Sequence, residues 1–199
     1  NILPTLLHRK AQLLRDWSTG PLGMMEGIDR EFDVAMFVGY HAKAGTSDAP
    51  LNHTFTGSLY DVRVNGISLP EAGWNALIAG HYNVPVIFAS GDKALCEQVA
   101  ALIDSIVTVP VKEGIGKASL SLHPEEAQDR IKQGVAQALK HPESKPYRID
   151  PPFTLEVSFT TEAPAWKAQW YPGAQLIDGR TVRFQSDDFF ECLRCMHFL

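Results

Sequence analysis

Two histidines and one glutamate in the first half of the chain have side chains that could form a hydrolytic site. His41 follows an apolar run at residues 33–40, His53 lies in the polar stretch after it, and Glu71 stands in the first turn of a helical pattern. Imidazole nitrogens and carboxylate oxygens are common zinc ligands, and a catalytic zinc site keeps one position open for water. These three residues are therefore the first candidates for a metal centre.

A simpler interpretation explains the same three residues without a metal. Their spacing matches no local metal motif of the His-Glu-x-x-His kind. Scattered histidines on loops are common, and Glu71 could complement the positive end of a helix dipole. The residue types and their spacing leave both interpretations open.

A second candidate site is the stretch at residues 114–119, Gly-Ile-Gly-Lys-Ala-Ser, which follows a predicted strand. Glycines between a strand and a helix can cradle a phosphate group with their backbone amides. The Walker pattern requires glycine at Val111 and serine or threonine at Ala118, so the match is incomplete. One alternative function is therefore a nucleotide-binding α/β module that uses Gly114 to Lys117, and the bland alternative is a turn in which glycine relieves steric strain.

A third candidate is the pair Cys192 and Cys195, with His197 two residues further on. A structural zinc site needs a second pair of Cys or His ligands, and Cys96 alone does not supply one. Packing of both cysteines as small hydrophobic side chains on one face of a terminal helix is the competing interpretation.

Composition narrows the class of partner and the compartment. The chain of 199 residues is 45% hydrophobic, enough to bury the core of one domain or two small ones. A net charge of -5 and the lack of a basic run argue against nucleic acid and anionic membranes as partners. The sequence contains neither a membrane-spanning apolar run nor a signal-peptide pattern. With three cysteines and no evident disulfide framework, we expect a cytoplasmic protein that acts on a small molecule.

The elements that must position these residues alternate between strands and helices. Apolar runs at 33–40, 84–89 and 105–111 are typical of strands covered on both faces. Helical spacing at 93–103 lies between the last two runs, and this order predicts a parallel pair of strands. A further helix is predicted at 124–140. The expected fold class is α/β, with a mostly parallel sheet flanked by helices.

Turn signals divide the chain further. Asn65-Gly66 predicts a hairpin, and Pro70 opens a predicted helix that ends near Gly80. Four prolines between residues 142 and 152 predict a joint. Residues 1–145 are then an α/β domain with the metal site, and residues 146–199 a smaller α+β C-terminal unit.

The segments that contain the first candidates match the motifs of a known family. They are residues 21–29 (Pro-Leu-Gly-Met-Met-Glu-Gly-Ile-Asp), 37–46 (Phe-Val-Gly-Tyr-His-Ala-Lys-Ala-Gly-Thr), 51–54 (Leu-Asn-His-Thr) and 64–76. Together they resemble the binuclear zinc D-aminopeptidases associated with bacterial dipeptide-transport operons. Residues 85–92 and weaker similarity in the C-terminal part extend the resemblance over nearly the whole chain.

The resemblance implies a role for each candidate residue. His41 and Glu71 fall on metal ligands of the family, and His53 falls on a catalytic group that is not a ligand. It also implies two zinc ions per complete site, small peptide substrates with an N-terminal D-amino acid, and a homo-oligomer, possibly a decameric ring.

The chain departs from the family pattern at its start. Similar proteins carry a strand ending in Asp-x-Glu-Gly and an Asp-Ser-His segment, both with metal ligands, upstream of the Asn-Ile-Leu-Pro stretch at which this chain opens. We therefore expect the 199-residue chain to supply part of the metal shell and to bind zinc weakly. A non-catalytic oligomeric homologue that lacks the full metal centre is the other alternative function.

Overall fold

The computed structural model describes residues 2–16, 18–29, 31–140 and 144–199. Residues 141–143, which include the first proline of the predicted joint, lie outside the described residues. The chain folds as a mixed α/β protein with two sheets and their flanking helices, as the sequence predicts.

The strands are β1 (Ala35–Tyr40), β2 (Leu59–Val64), β3 (Ile67–Ser68), β4 (Val86–Asp92), β5 (Val107–Ile115), β6 (Ala118–Ser121), β7 (Phe153–Phe159), β8 (Gln175–Leu176) and β9 (Thr181–Ser186). The helices are α1 (Glu71–His81), α2 (Lys93–Leu102), α3 (Pro124–Ala138), α4 (Glu162–Ala168) and α5 (Phe189–Phe198). Two short 3₁₀ turns, Pro4–Leu6 and Gly23–Met25, precede β1. None of the described helices combines the length and the apolar composition that crossing a membrane requires.

The first sheet has the order β1-β4-β5-β6. β1, β4 and β5 pair in parallel, and β6 joins β5 antiparallel. The parallel pairing of β4 and β5 across α2 confirms the predicted crossover. Two details differ from the prediction, because strand pairing and coverage depend on distant residues. β4 continues through Asp92, beyond the predicted run at 84–89, and β1 lies at the edge of the described sheet, where Val38 is 60% exposed.

The structure does not support the alternative of a phosphate-cradling turn at residues 114–119. Gly114 and Ile115 end β5, Ala118 begins β6, and the turn between them is a tight hairpin with Gly116 at φ +58°. The element after this turn is a strand, so its amides do not open a helix toward a ligand. Gly114 and Ile115 pair instead with Ser119 and Ala118 in the antiparallel ladder, and the Gly116 amide donates to Asp48 Oδ1.

The second sheet is antiparallel and has the order β3-β2-β7-β9-β8. It therefore combines strands from both sides of residue 145. The division into units at residues 1–145 and 146–199 stays a prediction. The hairpin predicted at Asn65-Gly66 is confirmed, with φ of 50° and 80° at the two residues. The Asn65 side chain also accepts a hydrogen bond from the Thr154 backbone amide and donates to the carbonyls of Asp150 and Pro152. These bonds fix the hairpin to β7.

Helix α1 is the most buried helix of the fold and carries one of the candidate residues. Every residue from Glu71 to Gly80 is buried, so this helix is enclosed on all sides, as expected of a core helix. It joins the main hydrophobic core, which contains side chains from both sheets. Glu71 therefore begins a helix inside the protein, where an ionised carboxylate needs partners.

Candidate metal centre

The structure brings His41, His53 and Glu71 together. One nitrogen or oxygen atom from each residue lies within 4.8 Å of the others. His41 Nε2 is 3.2 Å from Glu71 Oε2, and His53 Nε2 is 3.6 Å from the same oxygen. The two imidazole rings stack with centroids 4.0 Å apart. Three residues that are separated in sequence therefore converge on a single carboxylate oxygen.

The loop at residues 41–58, here called the histidine loop, carries both histidines and begins where β1 ends. Asp92, at the end of β4, accepts a hydrogen bond from the Ala42 amide at 2.9 Å. The same carboxylate caps α2 by accepting a hydrogen bond from the Leu95 backbone amide at 2.8 Å. One buried side chain thus fixes the backbone next to His41 to the first sheet and to a helix.

The far end of the histidine loop is tied back to its start. The buried Thr54 hydroxyl accepts a hydrogen bond from the Ala44 backbone amide at 3.1 Å. The Lys43 backbone amide donates to Gln98 Oε1 on α2. The Phe55 amide donates to Glu71 Oε2 at 3.0 Å, which connects the loop to α1. Phe55 has φ +61°, a left-handed conformation that a bulky residue adopts at a cost of about 1–2 kcal/mol. The bond to Glu71 is one interaction that holds it there.

Backbone carbonyls fix the tautomer of both histidines. His41 Nδ1 lies 3.2 Å from the Ala42 carbonyl, and His53 Nδ1 lies 2.9 Å from the Leu51 carbonyl. A carbonyl oxygen only accepts hydrogen bonds, so each Nδ1 carries the proton. Each ring then presents Nε2 toward Glu71, with a lone pair when the ring is neutral. This arrangement is the usual one for a metal-binding histidine, whose other nitrogen donates to a carbonyl or carboxylate.

The electrostatics of the cluster follow from its burial and its short contacts. The hydrogen bond with Glu71 raises the pKa of His41 above its ordinary value, although burial acts against this. Burial opposes ionisation of Glu71, but hydrogen bonds from His41 and from the Phe55 amide outweigh it and lower the pKa of Glu71. Both pKa shifts favour the charged forms of the two groups, so a cation that binds here competes with a proton for Nε2 of His41.

A hydrogen bond between Tyr40 and Asn75 connects the two elements that position His41 and Glu71. The side-chain amide of Asn75 on α1 donates a hydrogen bond to the hydroxyl of Tyr40, the last residue of β1, at 3.0 Å. Burial raises the pKa of Tyr40 to about 12, so its hydroxyl stays neutral. The pair links the strand that leads to His41 with the helix that begins at Glu71.

Sequence reasoning missed the residues that hold the cluster in place. The sequence patterns assign no role to Asp92, Thr54 or Asn75. An aspartate directly before a helical pattern is a preferred N-cap, and that signal could have identified one of the two bonds of Asp92. Its bond to Ala42 spans 50 positions of sequence and has no local signal.

The cysteine site considered from the sequence does not form. Cys192 and Cys195 are fully buried in α5 and unpaired, and burial raises the pKa of each thiol to about 12. Within the described residues, the only group of three or more metal donors is His41, His53 and Glu71. The interpretation of both cysteines as small hydrophobic side chains is confirmed.

A cavity of about 450 Å³ opens beside Glu71. Its walls are largely apolar, and Leu22, Phe55, Leu59, Trp74, Leu193 and Met196 are among the side chains that form them. Cavities of this size and character commonly bind small ligands. Peptide-sized molecules could therefore reach the carboxylate from this side.

Comparison with known proteins gives consistent results. The model of the D-aminopeptidase family, Peptidase_M55, matches residues 1–198. A D-aminopeptidase from Bacillus subtilis (strain 168) is 31% identical over 200 residues, which cover 98% of this chain and 72% of the relative. Among solved structures, the Zn-dependent D-aminopeptidase DppA from Bacillus subtilis, a self-compartmentalizing protease, matches with a TM-score of 0.91 and 30% identity. That match covers 98% of this chain and 71% of the other.

Proposed function

The chain belongs to the D-aminopeptidase family, and on that premise we propose that it is a zinc-dependent aminopeptidase for short peptides with an N-terminal D-amino acid. The observation that carries the proposal is the convergence of His41, His53 and the Phe55 amide on Oε2 of the buried Glu71. An ordinary helix N-terminal glutamate has no need of two imidazoles held in a fixed tautomer.

His41 and Glu71 are the proposed metal ligands. The structure fits this role because His41 presents Nε2 beside the carboxylate, and all three donor atoms lie within 4.8 Å. Nitrogen and oxygen donors of this kind suit zinc. Zinc, when bound, polarises a peptide carbonyl and lowers the pKa of a bound water. We propose two ions per complete site, for which the described residues provide this one group of donors.

His53 is the proposed catalytic residue. Its side chain is 31% exposed, against 8% for Glu71, so substrate can reach it more readily. With Nδ1 held by the Leu51 carbonyl, the ring can exchange a proton only at Nε2, which faces the cluster. Imidazole is suited to protonating a leaving amine or to donating a hydrogen bond to a developing oxyanion.

The apolar cavity beside Glu71 is the proposed site for the side chain of the N-terminal residue. Its volume of about 450 Å³ accommodates a large aliphatic or aromatic group. A peptide placed in this way has its scissile bond beside the metal ligands and His53.

Metal analysis by equilibrium dialysis against a fixed concentration of free zinc, combined with peptidase assays, tests the assignment of roles. We expect His41→Ala and Glu71→Gln to reduce zinc content, because each removes a ligand. His53→Ala should retain zinc while kcat falls by roughly 10²-fold or more. His8→Ala, at an exposed histidine outside the cluster, is the matched control and should change neither quantity. Normal kcat in His53→Ala would remove His53 from the mechanism.

The assembly and the setting complete the proposal. We propose a homo-oligomer, with a decameric ring as the form to test, because the related DppA structure is that of a self-compartmentalizing protease. We also propose that the protein acts in the cytoplasm on imported dipeptides, a setting that suits its three free, buried cysteines. Light scattering measures the mass of the assembly, and a monomer at micromolar concentration would contradict this part. An oligomer that neither binds zinc nor cleaves peptides would instead favour the non-catalytic alternative.

A further inference from the structure

We propose that Lys117 binds the C-terminal carboxylate of the peptide substrate and thereby makes the enzyme selective for short peptides with a free carboxyl end. This inference rests on the proposed function, because it takes a peptide as the ligand. Its basis is a second cavity that His53 shares with the hairpin between β5 and β6.

The second cavity has a volume of about 520 Å³ and lies between the histidine loop and the hairpin. Residues 49–53 and Gly57 line one side, and Gly116 and Lys117 line the other. His53 therefore belongs both to the cluster around Glu71 and to this cavity. If His53 protonates the leaving amine, the leaving part of the peptide lies on the side of this second cavity.

Contacts with the histidine loop hold the hairpin in a defined position. The Gly116 amide donates to Asp48 Oδ1 at 3.0 Å. Gly114 packs so closely against the Asp48 carbonyl that a Cβ atom at that position would overlap it. The hairpin turn that contains Lys117 is therefore anchored to the same loop that positions His53.

Lys117 is a cation without a counterion in the part of the chain that the structure describes. It is exposed and takes part in none of the ion pairs formed there, whereas Lys93 pairs with Glu113 of β5 at 2.8 Å. The whole chain carries a net charge of -5, and Lys117 places a positive charge at the wall of a cavity that His53 also lines. A carboxylate is the complementary group on a peptide, and an ammonium binds it by charge-assisted hydrogen bonds.

The geometry of a peptide determines which substrates gain from this contact. In a dipeptide, the carboxylate belongs to the same residue as the scissile nitrogen, and each further residue moves it by about 3.5 Å. The ammonium at the end of the flexible lysine stem can reach a carboxylate in the cavity, but a long peptide carries its carboxylate out of the cavity. We therefore expect a preference for the shortest peptides over longer ones of the same sequence.

Binding and hydrolysis of a matched pair of ligands test the proposal. The probes are D-leucylglycine and D-leucylglycinamide, which differ only in the charge of the C-terminal group. NMR titration of the zinc-loaded chain measures binding, and amine release measures turnover. The variants are Lys117→Ala and Lys117→Arg, with Lys132→Ala as the control, because Lys132 is an exposed lysine on α3 away from both cavities.

Wild-type protein should bind the free acid roughly fivefold or more tightly than the amide. Lys117→Ala should abolish that difference by weakening binding of the acid alone, Lys117→Arg should preserve it, and Lys132→Ala should leave it unchanged. Equal affinity of the wild-type chain for acid and amide, or equal effects of Lys117→Ala on both, would overturn the role of Lys117. A lysine-dependent preference for the acid without hydrolysis of either ligand would support this inference and count against the proposed activity.

Discussion

Replacing Asp92 by asparagine separates its two structural roles. The carboxylate caps α2 through the Leu95 amide and holds the histidine loop through the Ala42 amide. Asparagine is nearly as good an N-cap as aspartate, so a pure capping residue would tolerate the change. The asparagine side chain, however, has one acceptor oxygen, and its NH₂ group then faces the second backbone amide. One buried amide loses its partner.

The expected cost can be worked from these contacts. An unsatisfied buried amide costs about 1–3 kcal/mol, and loss of the negative charge at the start of α2 adds about 0.3–1 kcal/mol. Asp92 is only 3% exposed, so water does not readily replace the lost bond. We expect Asp92→Asn to lower the free energy of unfolding by about 1–4 kcal/mol. Zinc uptake should also fall, because the altered contact lies next to His41.

Urea unfolding followed by tryptophan fluorescence measures the stability change, since Trp74 is buried in α1. The matched control is Asp188→Asn, which alters an exposed cap of α5 with a single bond, to the Phe190 amide. That change should cost less than about 0.5 kcal/mol. If Asp92→Asn is as mild as the control and zinc uptake is unchanged, Asp92 is only a helix cap and the argument for its second role is refuted.

Two further predictions concern packing and the thiols. Gly114→Ala should lower Tm by about 5 °C, because its methyl group overlaps the backbone of the histidine loop, whereas Gly57→Ala has open space around it and should change Tm little in the same thermal scan. Burial raises the pKa of Cys96 to about 11 and those of Cys192 and Cys195 to about 12, so their contribution to stability is complete below pH 9 and is lost as pH rises toward these values. A thiol reagent at pH 8 should then modify the native chain no faster than it unfolds, and rapid labelling would contradict the burial of the thiols.

The parts of the fold that depend on local signals could be predicted from the sequence. Asn65-Gly66 specifies a hairpin because both residues accept positive φ, and the helical spacing at residues 93–103 identifies α2. The differences arise where strand pairing, rather than the local residue pattern, decides the outcome. The glycines at 114 and 116 indicate a turn, and antiparallel pairing of β5 with β6 makes that turn a hairpin.

The candidate site, like the fold, could be predicted from the sequence only in part. The chemistry of His41, His53 and Glu71 is readable from residue type and from family resemblance, but their convergence on one oxygen is a property of the packed structure. No local sequence pattern predicts the tautomer of each ring or the hydrogen bond from the Ala42 amide to Asp92. Both depend on how the folded chain places backbone carbonyls and amides.

The location of Glu71 on the fully buried helix α1 couples the proposed metal centre to the global stability of the chain. The histidines belong to a loop fixed to the first sheet, whereas Glu71 belongs to a helix packed in the core that both sheets share. The proposed ligands therefore meet only when the loop and the helix are docked, and zinc bound between them would add its binding free energy to that of folding. On the proposed function, we expect substitutions far from the site that loosen this docking to lower zinc affinity, and zinc to protect the whole chain from unfolding.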